Sequence, residues 1–198
     1  MNKIISLLLL LSFSIKAQEI KIGTQTWTSK NLNVSTYRNG DKIPQVQDAY
    51  AWEKLTTGAW CYYENKTANG TTYGKLYNWF AVNDPRGLAP KGYHIPTDAE
   101  WTILTDNLGG EAGKMKSTSG WKDNGNGNNT SGFAGLPGLY RYSFGSFCPR
   151  SVQDIGLWWS SSVNADYKPL SLVLYSNDNI NRDSRNKREG LSVRCIKN

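Results

Sequence analysis

Histidine and cysteine are scarce here, one and three residues among 198, and methionine occurs twice. No two of these Cys or His residues stand at the spacing of a zinc site. His94 would have to serve any Ser-His-Asp arrangement alone, and no nucleophile is marked beside it. In its turn it reads as a hydrogen-bonded structural residue rather than a general base. Cys195 falls on the apolar face of a strand pattern, a place for a structural sulfur. Charge of one sign is not pronounced: 23 Lys and Arg stand against 16 Asp and Glu. That balance describes a soluble surface biased to cations rather than a polyanion-binding face. No apolar run reaches the ~20 residues of a membrane span. The expectation is a chain with no catalytic residue, no metal, no cofactor, no nucleic-acid partner and no membrane span.

The one long apolar run, residues 4–15, follows Met1, Asn2 and Lys3 and precedes the small residue Ala17. That is the form of a signal peptide over residues 1–18, cut after Ala17 or Gln18. No cysteine stands directly after the run, at the cleavage position, which does not suit a lipid-anchored lipoprotein. Loss of Lys3 and Lys16 with the signal takes the formal charge from +7 to +5. The expected product is secreted, at the cell surface or in the periplasm, as a single domain over residues 19–198, large enough for a substantial core.

Aromatic rings are plentiful: 8 Trp and 11 Tyr beside 19 Gly, while aliphatic residues are sparse beyond the apolar run. Each buried ring removes roughly 150–250 Å² from water, so a few can anchor long irregular connections. Residues 92–110 form the clearest helix. Thr97 and Glu100 have capping-box spacing, Asp98 and Glu100 suit the helix dipole, and Gly109 offers a left-handed stop. Trp101, Leu104 and Leu108 form one apolar stripe, widened by Ile103. A second helix is predicted over 73–82, closed by Asp84-Pro85. Strands are expected at 19–27, broken by a turn at Gly23, and at 157–162, 169–175 and 191–197, with a hairpin at Asn39-Gly40. In the last strand Leu191, Val193 and Cys195 share one face, and Ser192 and Arg194 the other. Alternation sends one of Trp158 and Trp159 inward and the other outward. Residues 122–132 have almost nothing to bury and read as a surface loop. Helices early and a strand meander late point to α+β.

Six phrases, in order, carry a resemblance: Lys75-Leu76-Tyr77-Asn78-Trp79, Gly92-Tyr93-His94-Ile95-Pro96-Thr97-Asp98-Ala99-Glu100-Trp101, Gly113-Lys114-Met115-Lys116-Ser117, Gly132-Phe133-Ala134-Gly135-Leu136-Pro137-Gly138, Trp158-Trp159-Ser160-Ser161 and Ser192-Val193-Arg194-Cys195. Together they resemble the Fibrobacter succinogenes major paralogous domain family of secreted bacterial domains. The resemblance implies a C-type-lectin-like fold, two helices packed on a twisted antiparallel sheet with long loops. The Pro-Thr-Asp-Ala-Glu-Trp phrase is also similar to one in formylglycine-generating enzymes, which share that fold. It implies no defined chemistry, since fold alone does not give function. Many members start the helix phrase with Cys-Pro, where this chain has Ala89-Pro90, so a disulfide from that position cannot form. An exported chain with three cysteines allows one bridge. Cys61, which recurs in the branch lacking Cys-Pro, and Cys195 are the expected pair, with Cys148 left as an exposed thiol.

Residues 123–128 alternate Asp or Asn with Gly, yet Gly fills two positions where a calcium loop needs oxygen donors, and Ala134 stands where the Glu belongs. What remains is a surface suited to contact. Tyr140, Arg141 and Tyr142 interleave rings and charge, residues 177–188 include Arg182 and Arg185, and Trp159 offers a further ring. Such residues favour adaptable binding surfaces. The reading is a non-enzymatic binding module for an extracellular protein or glycan. The rivals are a diverged formylglycine-generating-type oxidase and a structural or adhesion component.

Overall fold

A computed structural model describes residues 18–138, 140–149 and 154–198; the signal peptide expected over residues 1–18 lies, up to residue 17, outside the described residues. The chain is α+β, with strands β1 (Glu19–Ile22), β2 (Gln25–Thr28), β3 (Trp60–Cys61), β4 (Leu76–Tyr77), β5 (Tyr93–His94), β6 (Ile155–Val163), β7 (Pro169–Tyr175), β8 (Ile180–Ser184) and β9 (Ile196–Lys197). Four short helices accompany them: α1 (Ala49–Glu53), α2 (Asn69–Tyr73), α3 (Trp79–Val82) and α4 (Asp98–Asn107).

The strands form three antiparallel sheets, ordered β1-β2-β9-β5, β3-β4 and β6-β7-β8. Gly23, at φ 58°, turns β1 back onto β2. At the far end of the chain, Ile196 of β9 sits between Trp27 of β2 and His94 of β5, which closes the sheet with the last strand inside it.

The β6-β7-β8 sheet separates two cores. Leu157, Trp159 and Val173 face a cluster with Tyr77, Trp79, Leu191 and Cys195. Trp158, Leu172 and Leu174 face the other, with Trp27, Trp101, Leu104 and Phe133. Neighbouring side chains on a strand point to opposite sides. Both sides of this sheet are covered, so neither Trp158 nor Trp159 reaches solvent. This corrects the expectation that one of them is outward.

The predicted anchor helix is α4. The Thr97 hydroxyl accepts from the Glu100 amide while the Glu100 carboxylate accepts from the Thr97 amide, a closed capping box. Trp101 and Leu104 are fully buried, and the Trp101 ring lies 4.7 Å from that of Trp27. Ile103 is 44% exposed and does not widen the apolar stripe.

The second predicted helix does not form as one piece. Gly74 leaves α2 at φ 71°, where an added Cβ would meet the Leu32 carbonyl oxygen at 2.7 Å. The chain runs through β4, and the Asn78 side chain then caps the four-residue α3. Only Ile196–Lys197 of the last predicted strand is ladder, and its outward positions are covered as well: Ser192 and Arg194 are buried. Residues 122–132 are tied down rather than merely solvated. An added Cβ at Gly127 would meet the Gly113 carbonyl oxygen at 2.3 Å, and the Asn128 amide donates to that same carbonyl.

Candidate functional site

The residues expected to form one contact surface separate into an interior group and a surface group. Arg141 is 1% exposed. Its Nε donates to Gly145 O at 2.7 Å, Nη1 to Val46 O at 2.7 Å and Nη2 to Gln47 O at 2.8 Å. Its guanidinium also lies 4.4 Å from the Trp52 ring centroid and 4.9 Å from that of Phe147. Every nitrogen is used, so Arg141 is a strut joining residues 46–47 to the 141–147 turn. Tyr140 is buried as well, and Trp159 donates its indole N–H to Tyr77 O at 2.7 Å. Tyr142 is half-buried and stacks on the exposed Phe144 at 5.0 Å, at the solvent side of that turn.

The cysteines also correct the expectation. Cys61, Cys148 and Cys195 are all buried free thiols, so Cys61 and Cys195 are not bridged and Cys148 is not exposed. Cys61 opposes Leu76 in the β3-β4 ladder, in a cluster with Trp52, Tyr63 and Leu76. Leu191 pairs with Tyr77, and Cys195 lies four residues further on, hydrogen-bonded through its amide to the Thr28 hydroxyl. Burial pushes both the Cys61 and Cys195 thiols up to about 12, which keeps them protonated at neutral pH.

Arg182 is half-buried and ion-paired to Asp98 of α4 at 2.9 Å, which ties β8 to the start of that helix. Arg185 is different. It follows β8 and lines an open cleft of about 490 Å³ with Phe80, Tyr167, Lys168, Lys187 and Arg188. Its own charge is partly matched, by Asp183 at 3.0 Å and Glu189 at 3.8 Å. Lys168, Lys187 and Arg188 have no acidic partner among the described residues.

Local hydrogen bonds build this cleft in advance. The Asn164 side-chain oxygen accepts the amides of Asp166 and Lys168, which shapes the turn between β6 and β7. Tyr167 sits in that turn at φ 57°, a conformation uncommon for a residue with a Cβ, and the residue is 77% exposed. Opposite, the Trp79 amide donates to Lys187 O at 2.9 Å and the Trp52 indole N–H to Arg188 O at 2.7 Å. Lys187 also lies 5.4 Å from the Trp79 ring centroid. The cations therefore project from backbone that two buried tryptophans hold in place. Sequence reasoning missed Phe80 and Tyr167; a large ring inside the polar turn at 164–168 was the available signal.

Residues 123–130 are engaged with protein rather than arranged as a cation loop. The side-chain oxygens of Asn126 and Asn129 accept the amides of Trp121 and Ala134, and that of Asn128 the amide of Thr130. No helix among the described residues is long and apolar enough to cross a membrane.

No curated protein and no solved structure matches the chain. The sequence profile of the Fibrobacter succinogenes major domain matches residues 20–197. That match starts inside β1 and ends on the last residue of β9; the chain belongs to the Fibrobacter succinogenes major domain family.

Proposed function

We propose that this chain is an exported, non-enzymatic binding module of C-type-lectin-like architecture that takes an acidic glycan or acidic protein segment in the Tyr167–Arg188 cleft. The observation that carries this reading is the cleft's composition: an exposed ring beside three cations with no described acidic partner, on rigid backbone. Tyr and Arg give large contact area and forked hydrogen bonds at a modest entropic cost. The lectin-like architecture is supported by the first hairpin pairing with the last strand and by the capped helix packed beside that sheet. The apolar run at residues 4–15 supports export. Protonated, buried Cys61 and Cys195 give no support to a thiol oxidase.

The test is a binding array of uronate-rich, sulfated and neutral glycans together with acidic and basic proteins. Acidic members should bind, with affinity that falls as salt rises. Binding confined to neutral sugars, or unchanged in a Tyr167→Ala, Lys168→Ala double variant, would sink the assignment. Concentration-dependent assembly without any ligand would instead favour the structural or adhesion role.

A further inference from the structure

A second polar pocket lies away from this cleft, around Arg194. Arg194 is 3% exposed, and neither it nor Lys30 is ion-paired with a described residue. Its Nε donates to Asn31 Oδ1 at 2.7 Å and its Nη1 to Thr28 O at 2.9 Å, and its guanidinium sits 4.4 Å from the Phe133 ring centroid. Nη2 makes no hydrogen bond to a described residue. The contrast with Arg141, equally buried but with all three nitrogens engaged, is direct. Arg194 also lines a pocket of about 230 Å³ together with Ser29, Lys30, Asn31, Thr71 and Ser117.

The rest of the lining points the same way. Asn31 Oδ1 already accepts from both Arg194 and the Trp158 indole, and the Thr28 carbonyl accepts from Nη1, so both acceptors on the guanidinium are committed away from Nη2. The Ser29 hydroxyl is buried with no hydrogen-bond partner. No Asp or Glu lines the pocket. Burial pushes the Arg194 guanidinium down to about 9, so it remains charged at neutral pH while lacking an anion. A buried charge of this kind is costly until it is paired.

We propose that this pocket binds a carboxylate, its two oxygens meeting Arg194 Nη2 and the Lys30 ammonium. Its volume is below the ~300–1,000 Å³ of sites for drug-sized ligands. It therefore suits one acid group and its immediate substituents, either a free carboxylate or the acid of a single uronic sugar. The inference does not depend on the Tyr167 cleft.

The probes are acetate and D-glucuronate, titrated into the ¹⁵N-labelled chain with sodium chloride at matched ionic strength as control. Saturable shifts are expected at Arg194 Nε–H and at Trp158 Nε1–H, which share Asn31, and not with chloride. Tighter binding of glucuronate than of acetate identifies a sugar acid as the occupant; equal binding identifies the bare carboxylate. Lys30→Ala, at an exposed rim position, should leave the melting temperature unchanged and weaken binding up to about fivefold. Arg194→Lys keeps the charge but loses the fork, and should abolish the saturable shift at Trp158. Should that variant fail to fold, the wild-type and Lys30→Ala titrations decide. No saturable shift with either acid, or identical affinities in wild type and Lys30→Ala, overturns the proposal.

Discussion

The 140–147 turn and the 185–188 loop look alike as sequence, since both set arginine among polar and aromatic residues. In the folded chain they do opposite things. The first buries its arginine against three carbonyl oxygens and two rings. The second fixes its backbone with buried tryptophans and leaves its cations at an open cleft. A loop-rich protein has many carbonyl groups outside any ladder, and each buried one needs a donor. Arginine supplies several donors from one side chain, so it serves as internal framework as readily as it serves as a contact. Lys75 and Lys116 act the same way: both are buried, with Nζ donating to the Asn33 carbonyl and to the Tyr175 and Ser176 carbonyls respectively.

The largest expected effect tests the interior side of this contrast. Arg141→Ala should cost about 3–5 kcal/mol, because it strands buried acceptors and opens a cavity, comparable to the ~3–5 kcal/mol of Trp101→Ala in the helix core. Denaturant melts would measure both. A wild-type midpoint for Arg141→Ala would erase the distinction between the two regions. Next, Thr97→Ala should lower stability by about 1 kcal/mol through loss of the α4 cap, read in the same melts.

A pH titration sharpens the comparison on the surface. Asp84 is held down to about 2, mainly by its hydrogen bond from Arg86. A carboxyl whose folded value is depressed adds stability above its unfolded value of 3.8, and that contribution is lost as pH falls toward 2. Asp84→Asn should flatten this part of the stability profile between pH 4 and 2, as followed by thermal melts. Smallest of all, Lys168→Ala should change stability by no more than about 0.5 kcal/mol, while weakening whatever acidic ligand the array finds. A large loss of stability would place Lys168 with the framework cations instead.

Much of the secondary structure could be read directly. The capping box of Thr97 and Glu100, the Gly23 turn and the apolar runs of β6 and β7 are local signals, and local signals survive tertiary packing. Strand alternation also placed Trp158 and Trp159 on opposite faces, but it could not show that both faces are covered. The same limit governs Arg194, put outward by alternation yet buried because Phe133 and Asn31 close over it. Arg141 depends on carbonyls 94 and 95 residues away, which no local pattern contains. Residues 177–188 read in the sequence as an expected contact segment; of them Arg185, Lys187 and Arg188 line the cleft. Phe80 and Tyr167 complete it from distant loops, so the site as a whole had no contiguous signature.

The position of β9 inside its sheet bears on how the chain reaches this state. Thr28 and Cys195, hydrogen-bonded across the sheet, are 167 residues apart. During synthesis the β1-β2 hairpin waits almost the whole length of the chain for its partner, and until then β2 presents an unpaired edge beside Trp27. Such an edge is a template for pairing with other chains, and contacts of such long sequence separation are slow to form. Folding should therefore be limited by the arrival of the final strand, and chains truncated before residue 190 should aggregate rather than fold, a vulnerability set by topology and not by the strength of either core.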